Sequence, residues 1–92
     1  MPRITVHVPG PLRRFTEGHS VVVVDATTPG EALAALNRDD RRIGAHLFAD
    51  DGSVRGYIGL FLNGSAIRPQ GGLHARIEHD AELSIVPSVA GG

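Results

Sequence analysis

The side chains of this 92-residue sequence offer little catalytic chemistry of their own. Cysteine is absent, which excludes a thiolate nucleophile, a disulfide and a cysteine zinc site. The five serines lie in no nucleophile-elbow context, and no Lys-Ser/Thr pair follows Gly71-Gly72 to make a phosphate-binding loop. The histidines have no metal-ligand spacing and are interpreted as surface residues: His7, His19, His46, His74 and His79. We therefore predict no catalytic residues, no metal and no bound cofactor.

The last nine residues carry the strongest functional signal. Residues 84–86 end an alternating strand, and Pro87 terminates it because proline cannot donate to a sheet ladder. Residues 88–90 then lead to Gly91 and Gly92. This ending resembles the C-terminus of the MoaD/ThiS family of sulfur carriers. The proline followed by Val-Ala-Gly-Gly most resembles the CysO-type carriers of cysteine biosynthesis and the MoaD-type subunits of molybdopterin synthase.

The resemblance implies a protein cosubstrate whose working group is a terminal carboxylate. An ATP-using, ubiquitin-activating-like adenylyltransferase of the MoeB/ThiF type would adenylate Gly92. A persulfide donor such as a rhodanese would displace AMP and leave a thiocarboxylate, which a sulfur-accepting synthase would consume. Val89, Ala90 and Gly91 would thread into the partner's active site, and ATP would be used by that partner.

The residue types of the tail suit this chemistry. A glycine has no Cβ, so its backbone can approach a nucleotide closely and adopt the dihedrals that a narrow channel requires. Five residues past Pro87 span at most roughly 17 Å, which lets the end reach a recessed site while the body stays outside. A terminal thiocarboxylate is anionic and nucleophilic for the same reason that a thiolate is.

The elements that must position the tail follow from periodicity and turn chemistry. Alternating or β-branched runs predict strands, and Asn63-Gly64 predicts a hairpin. Thr28 and Glu31 predict a capping box at the start of the main helix. Short helical turns are predicted over residues 43–48 and 73–77. The predicted strands are Ile4–Val8, His19–Asp25, Tyr57–Leu62, Ala66–Arg68 and Glu82–Val86.

This order predicts an α+β fold with one main helix across one face of a mixed four- to five-stranded sheet. Together with the family resemblance, it implies a β-grasp, ubiquitin-like fold. Residues 1–87 would form the domain and residues 88–92 a flexible C-terminal tail. Gly71-Gly72-Leu73 fits the family pattern, whereas His79-Asp80-Ala81 stands where such proteins often carry an Asp-Gly-Asp turn.

Strand alternation assigns side chains to the two faces of the sheet. The inward set, directed at Leu33 and Leu36 of the helix, is Ile4, Val6, Leu83 and Ile85. The outward set is Thr5, His7, Ser84 and Val86. Phe61 and Val86 are predicted to form a partner-docking face, and packing of Phe61 into the core is the alternative.

Composition excludes some function classes. A net charge of −1 with three Phe and one Tyr gives no footprint for nucleic acid, and no segment approaches the length of a membrane span. We therefore expect a cytoplasmic protein. All nine basic residues are arginine, so lysine-linked chains of this protein cannot form. This favours a carrier, while a molybdopterin synthase small subunit, a ubiquitin-related protein modifier and a plain binding module stay as alternatives.

Overall fold

A computed structural model describes residues 1–67 and 72–87 of the chain. The elements follow one another as two strands, two helices and three strands, with a 3-10 helix at Gly10–Phe15 between the first two strands. They are β1 (Arg3–His7), β2 (Val21–Asp25), α1 (Pro29–Asp39), α2 (Arg41–Leu47), β3 (Ile58–Leu62), β4 (Ser65–Ile67) and β5 (Ala81–Pro87). No helix in these described ranges is long and apolar enough to cross a membrane.

The strands form one five-stranded sheet in the order β2-β1-β5-β3-β4. β1 and β5 pair in parallel, and every other neighbouring pair is antiparallel. The sheet is therefore mixed, and β5 lies at its centre although it is the last strand in the sequence. The predicted α+β, β-grasp architecture is confirmed.

Helix α1 begins as the sequence predicts, with one difference in its capping bonds. The Thr28 hydroxyl accepts the Glu31 N–H at 3.1 Å, and Pro29 occupies the first turn. The Glu31 carboxylate accepts from the N–H and the hydroxyl of Thr27, at 2.8 and 2.7 Å, and not from the N–H of Thr28. These hydrogen bonds, above all the one from the Thr27 side chain, lower the pKa of Glu31 below its ordinary value.

The core lies between α1 and one face of the sheet. Ile4, Val6 and Leu83 are fully buried, and they belong to one apolar cluster with Leu33 and Leu36 of the helix. This confirms the predicted inward set. At the β3–β4 hairpin, Asn63 and Gly64 both adopt positive φ, 50° and 85°, as a tight turn between twisted strands requires.

Local structure departs from prediction by one or two residues at the ends of all five strands, and also in the two predicted helical turns. α2 begins earlier than the predicted turn, because Asp40 caps it by accepting the N–H of Arg42 at 3.0 Å. The predicted helical turn over residues 73–77 is wrong beyond its first residues, since the N–H of Ile77 donates to Thr27 at 2.7 Å and holds that stretch against the domain. β5 spans Ala81–Pro87, one residue more at each end than predicted.

Candidate functional site

The predicted tail residues Val89, Ala90, Gly91 and Gly92 lie outside the residues that the structure describes. Their threading into a partner, and the predicted boundary between domain and tail at residue 88, therefore stay predictions. The structure does define the point from which these residues depart, which is the end of β5 at Pro87. The candidate site consists of the strand that ends at this point and of the surface around it.

The departure point is anchored in the middle of the sheet. β5 pairs with β1 as far as Ser84 and with β3 as far as Pro87, which lies opposite Ile58. Ile85, the last inward-facing residue of β5, is 3% exposed. A chain that leaves at Pro87 therefore starts from a fixed position, because β5 is paired on both sides as far as Ser84, stays paired with β3 to Pro87, and is packed into the core.

An apolar patch adjoins this departure point on the face of the sheet that α1 does not cover. Phe61 lies opposite Ser84 of β5 and Ala66 of β4, and Gly59 lies opposite Val86. We call Gly59, Phe61 and Val86 the exit patch. Phe61 is half-buried and is not part of the core cluster, and Val86 is 45% exposed. Phe61 therefore lies on the outer face, which argues against core packing of its ring.

Gly59 explains how the exit patch holds together. A Cβ built on Gly59 would lie 3.3 Å from the carbonyl oxygen of Val86 and 3.9 Å from Cε1 of Phe61. The contact with Val86 is the tight one, so a side chain at Gly59 would crowd the backbone of β5, whereas the edge of the Phe61 ring lies at van der Waals distance. Sequence reasoning did not find Gly59, although its i, i+2 spacing from Phe61 along one strand is the signal that could have found it.

A polar ridge separates the exit patch from the far side of the outer face. It consists of outward side chains of β1 and β5, where His7 Nε2 lies 2.6 Å from Glu82 Oε1 and Thr5 lies opposite Glu82. Beyond the ridge, Val21 and Val23 of β2 are 42% and 53% exposed. Within residues 1–67 and 72–87, no three His, Asp or Glu side chains are grouped as metal ligands would be.

Comparison with known proteins places this geometry in a family. Residues 6–92 match the model of the ThiS family, a span that runs through β5 and the Gly-Gly ending. The chain belongs to the ThiS family. The family assignment therefore covers both the body that anchors β5 and the residues that follow it.

Individual relatives agree with this assignment. The sulfur carrier protein CysO of Mycobacterium tuberculosis is 29% identical over 91 residues, which cover 97% of this chain and 98% of that protein. CysO of Amycolatopsis orientalis, solved in a complex with BexX, is 30% identical with a TM-score of 0.84, covering 97% of this chain and 99% of the other. SAMP1 of Haloferax volcanii is 28% identical with a TM-score of 0.81, covering 98% and 99% of the two chains.

These similarities are to small proteins of nearly the same length, not to a domain of a large enzyme. Two of the three are named as CysO, and the one from Haloferax is a small archaeal modifier protein. The family and the CysO relatives together support a sulfur carrier protein of the CysO and ThiS type.

Proposed function

We propose that this chain carries sulfur as a thiocarboxylate on Gly92 and donates it in the biosynthesis of cysteine or of another sulfur-containing metabolite. The observation that carries the proposal is the family match over residues 6–92, which includes the Gly-Gly ending. The anchored end of β5 supports it, because a rigid body that releases its chain at one fixed point suits a protein that is handed between enzymes. In this role the chain is a cosubstrate, and the catalysis belongs to its partners.

The proposed reaction has three steps, and each is balanced in atoms and electrons. The Gly92 carboxylate attacks the α-phosphorus of ATP in the activating enzyme, giving an acyl adenylate and pyrophosphate. The terminal sulfur of a persulfide attacks the acyl carbon, and AMP leaves with the electron pair of the broken bond. A thiol then cleaves the resulting acyl disulfide, which releases the thiocarboxylate and a disulfide by ordinary thiol–disulfide exchange.

The exit patch is proposed as the docking face for the activating enzyme. Phe61 and Val86 lie beside the departure point, so an enzyme that receives the tail must also face this patch. An exposed apolar cluster bordered by polar side chains is typical of a binding surface. Similarity to a CysO solved in complex with BexX supports the broader proposal that this chain works through partner proteins.

Intact-protein mass spectrometry tests the function directly. The purified chain is incubated with a MoeB/ThiF-type enzyme, ATP and a persulfide donor. The expected mass gain equals replacement of one oxygen by one sulfur, and fragmentation places it at Gly92. Two matched controls, deletion of Gly92 and addition of one residue after it, should fold normally and gain no sulfur. Full sulfur loading of either control would refute the proposal.

A second candidate function is a ubiquitin-related protein modifier. The similarity to SAMP1 of Haloferax volcanii favours it, since that protein belongs to the small archaeal modifiers. Both roles begin with an activated Gly92, and they diverge at the acceptor. Covalent adducts between Gly92 and lysines of other proteins would select the modifier, whereas transfer of sulfur alone selects the carrier. Stable co-purification with a large catalytic subunit would instead select a molybdopterin synthase subunit.

A further inference from the structure

One edge strand of the sheet has backbone N–H and C=O groups that pair with no other described strand. β2 pairs only with β1 among the described strands. The bonds from Val8 N to Ser20 O at 2.8 Å and from Ala26 N to Pro2 O at 3.2 Å set the phase of this ladder. Even-numbered residues of β2 therefore direct their N–H and C=O groups at β1. The same groups of Val21, Val23 and Asp25 point away from the sheet.

This edge lacks the features that normally prevent another strand from pairing with it. β2 consists of four valines and one aspartate, with no proline, lysine or arginine. Its register with β1 is continuous from Val21 to Asp25, so it has no bulge. The opposite edge strand, β4, is only three residues long, which is itself a protection. An exposed, regular, β-branched edge is a template for an added strand.

A cleft lies beside the edge on the helix side of the sheet. It has a volume of about 570 Å³ and lies between β2, the end of α1 and the 3-10 helix. Its apolar lining residues are Phe15, Val22 and Leu36, of which Val22 is half-buried and the other two are buried. Because side chains alternate between the two faces of a strand, every second side chain of an added strand would be directed towards this cleft.

The charges of the cleft and the edge indicate the sign of the charge that an occupant should carry. The cleft is lined by two arginines and three acidic residues. Arg42 and Asp40 form an ion pair at 2.6 Å, and the guanidinium of Arg14 lies 4.8 Å from the centre of the Phe15 ring. Of the remaining charged lining residues, Glu17 and Asp39 exceed Arg14 by one formal charge, whereas Asp25 at the end of the edge lies opposite Arg3 of β1.

We propose that the β2 edge binds an extended segment of a partner protein as a sixth, antiparallel strand. The segment carries apolar residues at alternate positions, directed into the cleft, and basic residues beside them. This site is two strands away from β5, so it can be occupied while the tail is engaged elsewhere. A second copy of this chain fits less well, because its own β2 strand carries no basic residue.

A synthetic peptide tests this proposal with the whole protein. The probe is the blocked peptide Arg-Thr-Val-Ser-Val-Thr-Arg, in which Arg and Val share the face directed at the cleft; it is titrated into isotope-labelled protein and followed by NMR. The expected result is saturable shifts of the amides of Val21–Asp25 and of the cleft residues. A peptide with Glu in place of both Arg residues should bind at least about tenfold more weakly, because the uncompensated charge is acidic. Equal binding of the two peptides would overturn the assignment of charge.

Backbone methylation separates strand addition from simple apolar contact. In an antiparallel pair the residues whose side chains lie on the outer face also direct their N–H groups at β2. N-methylation of the two Thr residues should therefore abolish binding, and N-methylation of the Val residues should leave most of it. If the two methylated peptides bind equally well, the segment is not held as a strand and the proposal fails.

A protein variant provides the reciprocal test. Val23→Pro removes a donor from the outer edge and none from the β1 ladder, so the sheet should tolerate it. We expect at least about tenfold loss of peptide affinity, equivalent to about 1.4 kcal/mol. Phe61→Ala, three strands away, is the control and should leave peptide affinity unchanged. If Val23→Pro unfolds, Val23→Lys on the same edge is used, and normal affinity in a folded edge variant overturns the proposal. Self-association that Val23→Pro abolishes would assign the edge to a second copy, which also overturns it.

Discussion

On the face of the sheet that α1 covers, Ile4, Val6 and Leu83 are fully buried. On the opposite face, Ser84 of the same central strand is half-buried and the next outward residue, Val86, is 45% exposed. The two faces are thus built from alternate residues of the same strands. The difference teaches that one face holds most of the folding free energy, so residues on the other face can be changed to alter recognition while the protein stays folded.

The largest expected effect is on the covered face. Leu83→Ala removes a fully buried side chain from the strand at the centre of the sheet and leaves a cavity. We expect a loss of about 2–5 kcal/mol in the free energy of unfolding, measured by urea denaturation. The matched change on the outer face, Ser84→Ala, should alter it by less than about 0.5 kcal/mol. Similar losses in the two variants would contradict the distinction between the faces.

The next effect is on recognition. Phe61→Ala removes the ring of the exit patch, and we expect affinity for the activating enzyme to fall at least tenfold, about 1.4 kcal/mol. The free energy of unfolding should fall by less than Leu83→Ala reduces it, since Phe61 lies outside the core. Binding is measured by calorimetry and stability by urea denaturation. A variant that unfolds readily but binds normally while folded would show that Phe61 stabilises the domain and does not contact the activating enzyme.

A smaller effect is expected at the start of the helix that makes the two faces different. Thr28→Ala removes the hydroxyl that accepts the Glu31 N–H. Loss of an N-cap of this kind costs about 1 kcal/mol, which thermal and urea unfolding should both detect. Thr28→Ser keeps the acceptor and serves as the control. If Ala and Ser destabilise equally, the hydrogen bond contributes nothing and another property of Thr28 matters.

The smallest effect is a dependence of stability on pH through Glu31. Hydrogen bonds from Thr27 lower its pKa below its ordinary value in the folded protein. Its contribution is therefore complete above the pKa of the unfolded chain and is lost as the pH falls through the folded-state pKa. Urea unfolding from neutral to acid pH should show that the stability advantage of the native protein over Glu31→Gln shrinks on acidification. A constant difference across this range would exclude the linkage.

Local chemistry allowed much of the fold to be predicted from the sequence. The Asn63-Gly64 pair predicts its hairpin because both positions require positive φ, which they adopt. Thr28, Pro29 and Glu31 predict a helix start because their roles depend only on neighbouring residues. Strand alternation in β5 predicts the correct inward face, since a period of two leaves no other assignment.

What could not be predicted depends on contacts distant in sequence. The apolar run from Tyr57 to Leu62 has no alternation, so only pairing with Ser84 and Ala66 decides which face Phe61 occupies. The stretch before β5 has apolar residues at helical spacing, but the long-range bond between Ile77 and Thr27 prevents a helix there. At the site itself, the sequence predicts the tail residues 88–92, whereas the role of Gly59 follows only from its close approach to the Val86 carbonyl on the neighbouring strand.

The central position of β5 also bears on how the protein is made. A ribosome delivers β5 after all the other elements, so until residue 87 has emerged the sheet exists only as two separate hairpins, β2–β1 and β3–β4. Neither hairpin alone has the buried neighbours that stabilise it. Closure of the sheet and arrival of the residues beyond Pro87 are therefore nearly simultaneous events of biosynthesis. A polypeptide that stops before β5 lacks the strand that joins the two hairpins into one sheet.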